Sequence, residues 1–99
     1  MTHRKLFAGS VFALLAASGA WAEPTGQAIA FTCAGCHGTD GRSVGLAPEL
    51  NGEDAEDLYE MMVDYKTDKD EGTIMNRIAK GYSDSELRAV SEYLSKVED

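Results

Sequence analysis

The sequence predicts an all-α domain, and three observations carry that expectation. β-branched and aromatic residues nowhere alternate over four or more positions, so strand signals are missing. Ser83-Asp84-Ser85-Glu86 has the form of a capping box, in which the Ser83 hydroxyl and the Glu86 carboxylate take up each other's unpaired backbone amides. Behind it Leu87, Val90, Leu94 and Val97 recur at spacings of 3, 4 and 3, one stripe of a helix running to about Lys96, with Tyr93 beside it.

Taken in chain order, residues 1–22 read as an export signal. Met1-Thr2-His3-Arg4-Lys5 is a short basic start, Leu6 to Ala17 is mostly apolar, and Ala20-Trp21-Ala22 has the small-x-small pattern that a signal peptidase cleaves. The apolar part is too short for a membrane span, which needs roughly 20 apolar residues. Cleavage before Glu23 leaves 23–99 as one domain, expected in the periplasm. A short helix is expected from about Thr25 to Ala34, with Ala28, Ile29 and Phe31 apolar. A second starts near Asp54, where Asp54, Glu56 and Asp57 meet the positive end of the helix dipole, and its stripe is Leu58, Met61, Met62 and Tyr65. Gly-rich loops, Gly35 to Gly52 and Thr67 to Thr73, lie between. The run Asp68-Lys69-Asp70-Glu71 is most simply a solvated turn. There is no sign of a second domain, an internal repeat or a low-complexity tract.

Charge and size narrow the function. The chain of 99 residues has 9 Lys and Arg against 17 Asp and Glu, a net charge of −8. Arg4 and Lys5 leave with the signal and no acid does, so seven cations face 17 anions in the mature chain, a net −10. Nucleic acid and anionic membrane surfaces repel such a protein. A mature chain this short rarely closes a core unaided, and two cysteines make at most one bridge around a tiny loop. Some other body must fill the interior.

Cys33-Ala34-Gly35-Cys36-His37 supplies it. In this C-x-x-C-H run two thiols three residues apart on a helical turn each reach one vinyl group of haem, and the adjacent His37 imidazole is held under the iron as proximal ligand. A covalent link suits an exported protein, because the cofactor cannot be lost into a large volume. The other uses of the motif fit less well. A thioredoxin-like dithiol needs a βαβ frame, a zinc site needs about four ligands, and a Cys33–Cys36 disulfide gives no core. The sixth ligand then decides the chemistry. A methionine sulfur stabilises ferrous iron and makes an electron carrier, whereas an open position makes a binder or sensor of small ligands. Met61 and Met62 belong to the stripe of a helix, where methionine commonly packs a core. Met75, in Gly72-Thr73-Ile74-Met75-Asn76-Arg77, is the favoured ligand, a loop-borne sulfur reaching the opposite side of the iron, with Met61 or Met62 as the alternatives.

This order of features resembles class I cytochrome c: a signal peptide, CAGCHG near the mature N-terminus, a Pro-containing loop, then a methionine eight residues before an S-D-x-E-L helix start. The resemblance implies three to four helices wrapped around one covalent haem c in 23–99, with iron bound by His37 and Met75. It also implies that Gly45 to Gly52 is the family's proline loop, with the Pro48 carbonyl accepting a hydrogen bond from His37 and so orienting its ring. The family crosses its first and last helices beside the haem, which would place Tyr93 and Leu94 near Ile29 and Ala30. Gly26 and Phe31 are each offset from the glycine and aromatic usual at that crossing.

Cys33 to Gly41 and Thr73 to Ser83 look closer still to the haem domains of the cytochrome subunits of flavocytochrome c sulfide dehydrogenases. Those subunits often have two haem domains and take electrons from a sulfide-oxidising flavoprotein. This chain has one C-x-x-C-H and is a single-haem subunit of that kind or a stand-alone carrier. On either account it makes and breaks no bonds of a substrate itself. Arg77 and Lys80 pair with a haem propionate or balance an acidic surface in solvent. Tyr82 contacts the haem edge or packs beneath the last helix. The acidic surface predicts docking onto a basic patch of a redox partner.

Overall fold

The computed structural model describes residues 23–45 and 47–98, so the expected leader and its cleavage site, and Leu46 of the proline loop, lie outside the described residues. Among these residues four α-helices follow one another: α1 (Gly26–His37), α2 (Ala55–Lys66), α3 (Met75–Ala79) and α4 (Asp84–Ser95), with a 3-10 turn at Thr39–Gly41 after α1. Among the described residues there is no strand.

Three of the helices begin where a side chain caps them. The Ala28 amide donates to Thr25 Oγ1 at 3.1 Å and the Asp57 amide to Asp54 Oδ1 at 3.0 Å. The expected capping box closes α4: the Glu86 amide donates to Ser83 Oγ at 3.1 Å, and the Ser83 amide to Glu86 Oε1 at 2.9 Å. Two boundaries differ from the sequence expectation. α1 does not stop at Ala34 but carries the whole C-x-x-C-H run and ends at Gly38, whose φ of 83° breaks the helix. The segment expected as a loop around Met75 contains α3 instead. At five residues α3 is too short to display a periodic stripe, and no side chain caps it.

The core is small and sits where α1, α2 and α4 meet. Ile29 and Ala30 of α1, Leu58 of α2, and Val90 and Leu94 of α4 form it, with Leu50, Tyr82 and Tyr93 packed against it. α1 packs on α4, α4 on α2, and α2 on α3. The expected neighbourhood of Tyr93 and Leu94 with Ile29 and Ala30 is therefore present. The glycine of the crossing is Gly26 itself, despite its offset in the sequence. A Cβ built there would lie 2.3 Å from the Ala89 carbonyl oxygen and 2.8 Å from Tyr93 Cβ. Phe31 takes no part in the crossing, being 65 % exposed.

Polar ties fasten α4 to the rest. Tyr93 Oη donates to Asp40 Oδ1 at 2.7 Å, joining α4 to the 3-10 turn, and this bond, with burial and the Asp40 charge behind it, raises the Tyr93 pKa. The Arg88 guanidinium lies 3.7 Å above the Tyr59 ring and 2.5 Å from Glu56 Oε2, joining α4 to α2. The Gly52 amide donates to the Leu94 carbonyl at 2.9 Å, which brings the chain back beside α4 before α2 begins.

Two outcomes follow from this packing. Gly26→Ala forces the α1–α4 crossing apart, and thermal unfolding should report a loss of about 1–3 kcal/mol, the usual scale for overpacking. Tyr93→Phe should unfold at a lower temperature near neutral pH. Because the folded Tyr93 pKa is raised, its contribution is present below the ordinary tyrosine range and disappears as pH rises through the folded value, so melting curves of variant and wild type should converge in alkali.

Candidate haem site

The last turn of α1 displays the motif. Cys33 is half-buried and Cys36 exposed, and no disulfide joins them. Three residues apart on a helix, they lie on neighbouring strips of one face. Cys33 Sγ donates to the Ile29 carbonyl at 3.6 Å, and burial pushes its pKa up, so the thiol is held neutral. Between the two cysteines Gly35 faces open space: a Cβ there would meet nothing within 4 Å. The cysteine-bearing face of α1 is itself open to solvent at Cys36 and partly open at Cys33.

His37 closes the turn and is 8 % exposed. Its Nδ1 donates to the Pro48 carbonyl at 2.8 Å. A carbonyl only accepts, so Nδ1 carries the proton and Nε2 of the neutral ring keeps the lone pair that ligates a metal. Such a bond also fixes the tautomer and orientation of the ring. The loop that returns Pro48 to His37 starts at Gly38, where a Cβ would lie 2.3 Å from the Arg42 carbonyl oxygen, a conformation and a space open to glycine alone. Within the loop, Ser43 Oγ donates to the Ala47 carbonyl at 2.5 Å and accepts the Gly45 amide at 3.3 Å, and the Leu50 amide donates to Gly41 at 2.9 Å. The chain is thus pinned on both sides of Pro48.

The three methionines weighed as the sixth ligand occupy different settings. Met61 is 46 % exposed on α2, Met62 is half-buried one residue on, and Met75 is half-buried as the first residue of α3. The expected α2 stripe is only partly used: Leu58 alone is buried, and Met62 and Tyr65 are half covered. Met75 is held from the α2 side of the molecule, since α3 packs on α2, whereas Cys33, Cys36 and His37 are held by α1. The Asp68 to Glu71 run is exposed, as a solvated turn should be.

Other side chains singled out from the sequence are placed as follows. Lys80 Nζ lies 2.6 Å from Asp68 Oδ1, an exposed pair that holds the Asp68 carboxyl below the usual carboxylate range. Arg77 is exposed. Tyr82 packs against the core, and its hydroxyl lies 2.6 Å from Thr32 Oγ1. Thr32 Oγ1 donates to the Ile29 carbonyl at 2.6 Å and therefore accepts from Tyr82, which ties the entry to α4 to the residue before Cys33. Sequence reasoning passed over Thr32 and Asn76, whose polar side chains have partners only in the folded chain.

Large apolar residues left outside the core lie near these groups in the chain. Phe31 precedes Cys33 by two residues and is 65 % exposed, Ile74 precedes Met75 and is 55 % exposed, and Val44 in the loop before Pro48 is fully exposed. Two thiols on one helical face and an imidazole with an available Nε2 fit an iron-bearing, covalently tethered group. Among the described residues no three His, Cys, Asp or Glu side chains gather as a cage for a bare metal ion, and no helix is long and apolar enough to cross a membrane.

Comparison with known proteins agrees with this donor set. The family model described as cytochrome c matches residues 24–98. The cytochrome subunit of sulfide dehydrogenase from Chlorobaculum tepidum is 36 % identical over 75 residues, covering 76 % of this chain and 68 % of that protein. Cytochrome c-553 of Nitratidesulfovibrio vulgaris is 33 % identical over 77 residues, 73 % of this chain and 76 % of the relative. The thiosulfate dehydrogenase electron acceptor of Stutzerimonas stutzeri is 34 % identical over 94 residues, 91 % of this chain but only 41 % of that longer protein. The match spans most of the chain and every helix of the fold, so the protein belongs to the cytochrome c family, whose members bind haem c covalently and transfer electrons.

Proposed function

We propose that residues 1–22 direct the chain to the periplasm and are removed, and that 23–99 act there as a one-haem electron carrier with His37 and Met75 as axial ligands. The observation that carries the His37 assignment is its hydrogen bond of 2.8 Å to Pro48, formed beside two cysteines with no disulfide between them. Haem c supplies a one-electron ferric/ferrous couple. The chain does the rest: Cys33 and Cys36 tether the group, His37 presents Nε2, Pro48 sets the ring orientation, and Met75 offers a neutral sulfur that favours the ferrous state. Met61 and Met62 are weaker candidates, because α2 carries them one after the other, pointing in different directions.

As for its partner, we favour a place as the cytochrome subunit that takes electrons from a sulfide-oxidising flavoprotein. Support comes from the sequence of the C-x-x-C-H and methionine segments and from the C. tepidum relative. A carrier that serves a thiosulfate-oxidising enzyme, or a stand-alone carrier, is the second reading, which the S. stutzeri and N. vulgaris relatives favour.

Expression with a haem-attachment system tests the ligand set. Intact mass should equal the chain from Glu23 plus one haem, and the oxidised protein should show the weak far-red sulfur-to-iron band beside low-spin bands. Met75→Ala should abolish that band, while Met61→Ala and Met62→Ala keep it; a band that survives Met75→Ala would pass the ligand role to another residue. Stopped-flow reduction by the purified flavoprotein should slow steeply with added salt, since a net −10 surface meets its partner by long-range attraction. Reduction at a salt-independent rate would point to a permanent apolar interface instead.

A further inference from the structure

The segment that carries Met75 has little of its own to hold it. α3 is five residues long, no side chain caps it, and helices this short do not persist unaided. Residues 71–74 before it are all exposed. What fixes the segment is the next side chain. Asn76 Nδ2 donates to the Asp70 carbonyl at 2.7 Å and to the Tyr65 carbonyl at 3.1 Å, with Asp68 Oδ1 at 3.3 Å as a shared third acceptor. Asn76 Oδ1 accepts the Gly72 amide at 2.9 Å. These partners also settle the amide's orientation, because two carbonyls can only accept and the Gly72 amide can only donate. One side chain thus binds the end of α2, the middle of the loop and its far side, and its own backbone adjoins Met75.

We propose that Asn76 is the positioning residue for Met75, clamping the 65–72 turn so that the sulfur is held in place through α2. This role rests on Met75 being the sixth ligand. A loosened Met75 competes poorly with an added ligand, so the holoprotein's affinity for imidazole reports directly on the clamp.

In Asn76→Ala, two or more hydrogen bonds are lost, and the imidazole Kd of the ferric holoprotein should fall roughly tenfold or more. Asn76→Asp keeps the size of the side chain and the acceptor for Gly72, but sets a carboxylate against two carbonyls and Asp68. It should fall at least as far. Lys80→Gln, which breaks the exposed pair with Asp68 but keeps the Asn76 bonds to Asp70, Tyr65 and Gly72, should bind imidazole as wild type does. If Asn76→Ala yields no protein, Asn76→Ser takes its place under the same criteria. Wild-type imidazole affinity in the Asn76 variants, even with a lowered melting temperature, overturns the proposal and makes Asn76 a loop staple only. An equal gain in Lys80→Gln also overturns it, since general loosening of the turn would then suffice. Met75→Ala run alongside separates the two levels: a surviving far-red band sinks the ligand assignment itself, whereas a lost band with unmoved Asn76 variants sinks only the clamp.

Discussion

The contact between α1 and α4 governs everything downstream of it. At Gly26 the two helices are so close that even a methyl group would strike the Ala89 carbonyl. That approach lets Ile29 and Ala30 reach Val90 and Leu94, and so builds most of the core a chain this size can have. It also fixes the far end of α1, where Cys33, Cys36 and His37 lie, relative to α4. Tyr93 with Asp40 and Tyr82 with Thr32 then tie α4 to the chain on either side of the C-x-x-C-H motif.

From this frame the two proposed ligand residues are supported in two separate ways. The His37 side is built by a loop that leaves at Gly38 and is pinned by Ser43 and Gly41, so that the Pro48 carbonyl meets Nδ1. The Met75 side belongs to α2 and α3, joined through the Asn76 side chain and the exposed turn it gathers. The His37 side is continuous with the best-packed helix pair, and the Met75 side rests on a hydrogen-bonded turn. The Met75 side is the easier of the two to loosen, because a turn of exposed residues has few buried apolar contacts to hold it.

The acidic surface is largely solvated. Its ion pairs, Lys80 with Asp68 and Lys66 with Asp84 among them, are partly or well exposed and worth little to stability. Their interest is kinetic. An excess of eight negative charges over the whole chain sets a long-range field around it.

Helices with local signals were legible in the chain alone. Ser83 and Glu86 announced α4, Asp54 announced α2, and C-x-x-C-H announced the haem, because caps and motifs act over three or four residues. α3 was hidden, since five residues cannot show a period, and α1 was cut short because Gly35 obscured its last turn. The resemblance to cytochrome c supplied the Pro48 bond, which spacing by itself does not imply. By itself the sequence determined the helical class, the acidic charge and the haem-attachment motif, all of which depend on neighbouring residues or on simple sums. Only the tertiary structure decided that Gly26 serves the crossing, that Tyr82 leans on Thr32, and that Asn76 gathers the turn before Met75. Those depend on which backbone atoms come within 3 Å of one another after the chain has closed, and no local pattern encodes that distance.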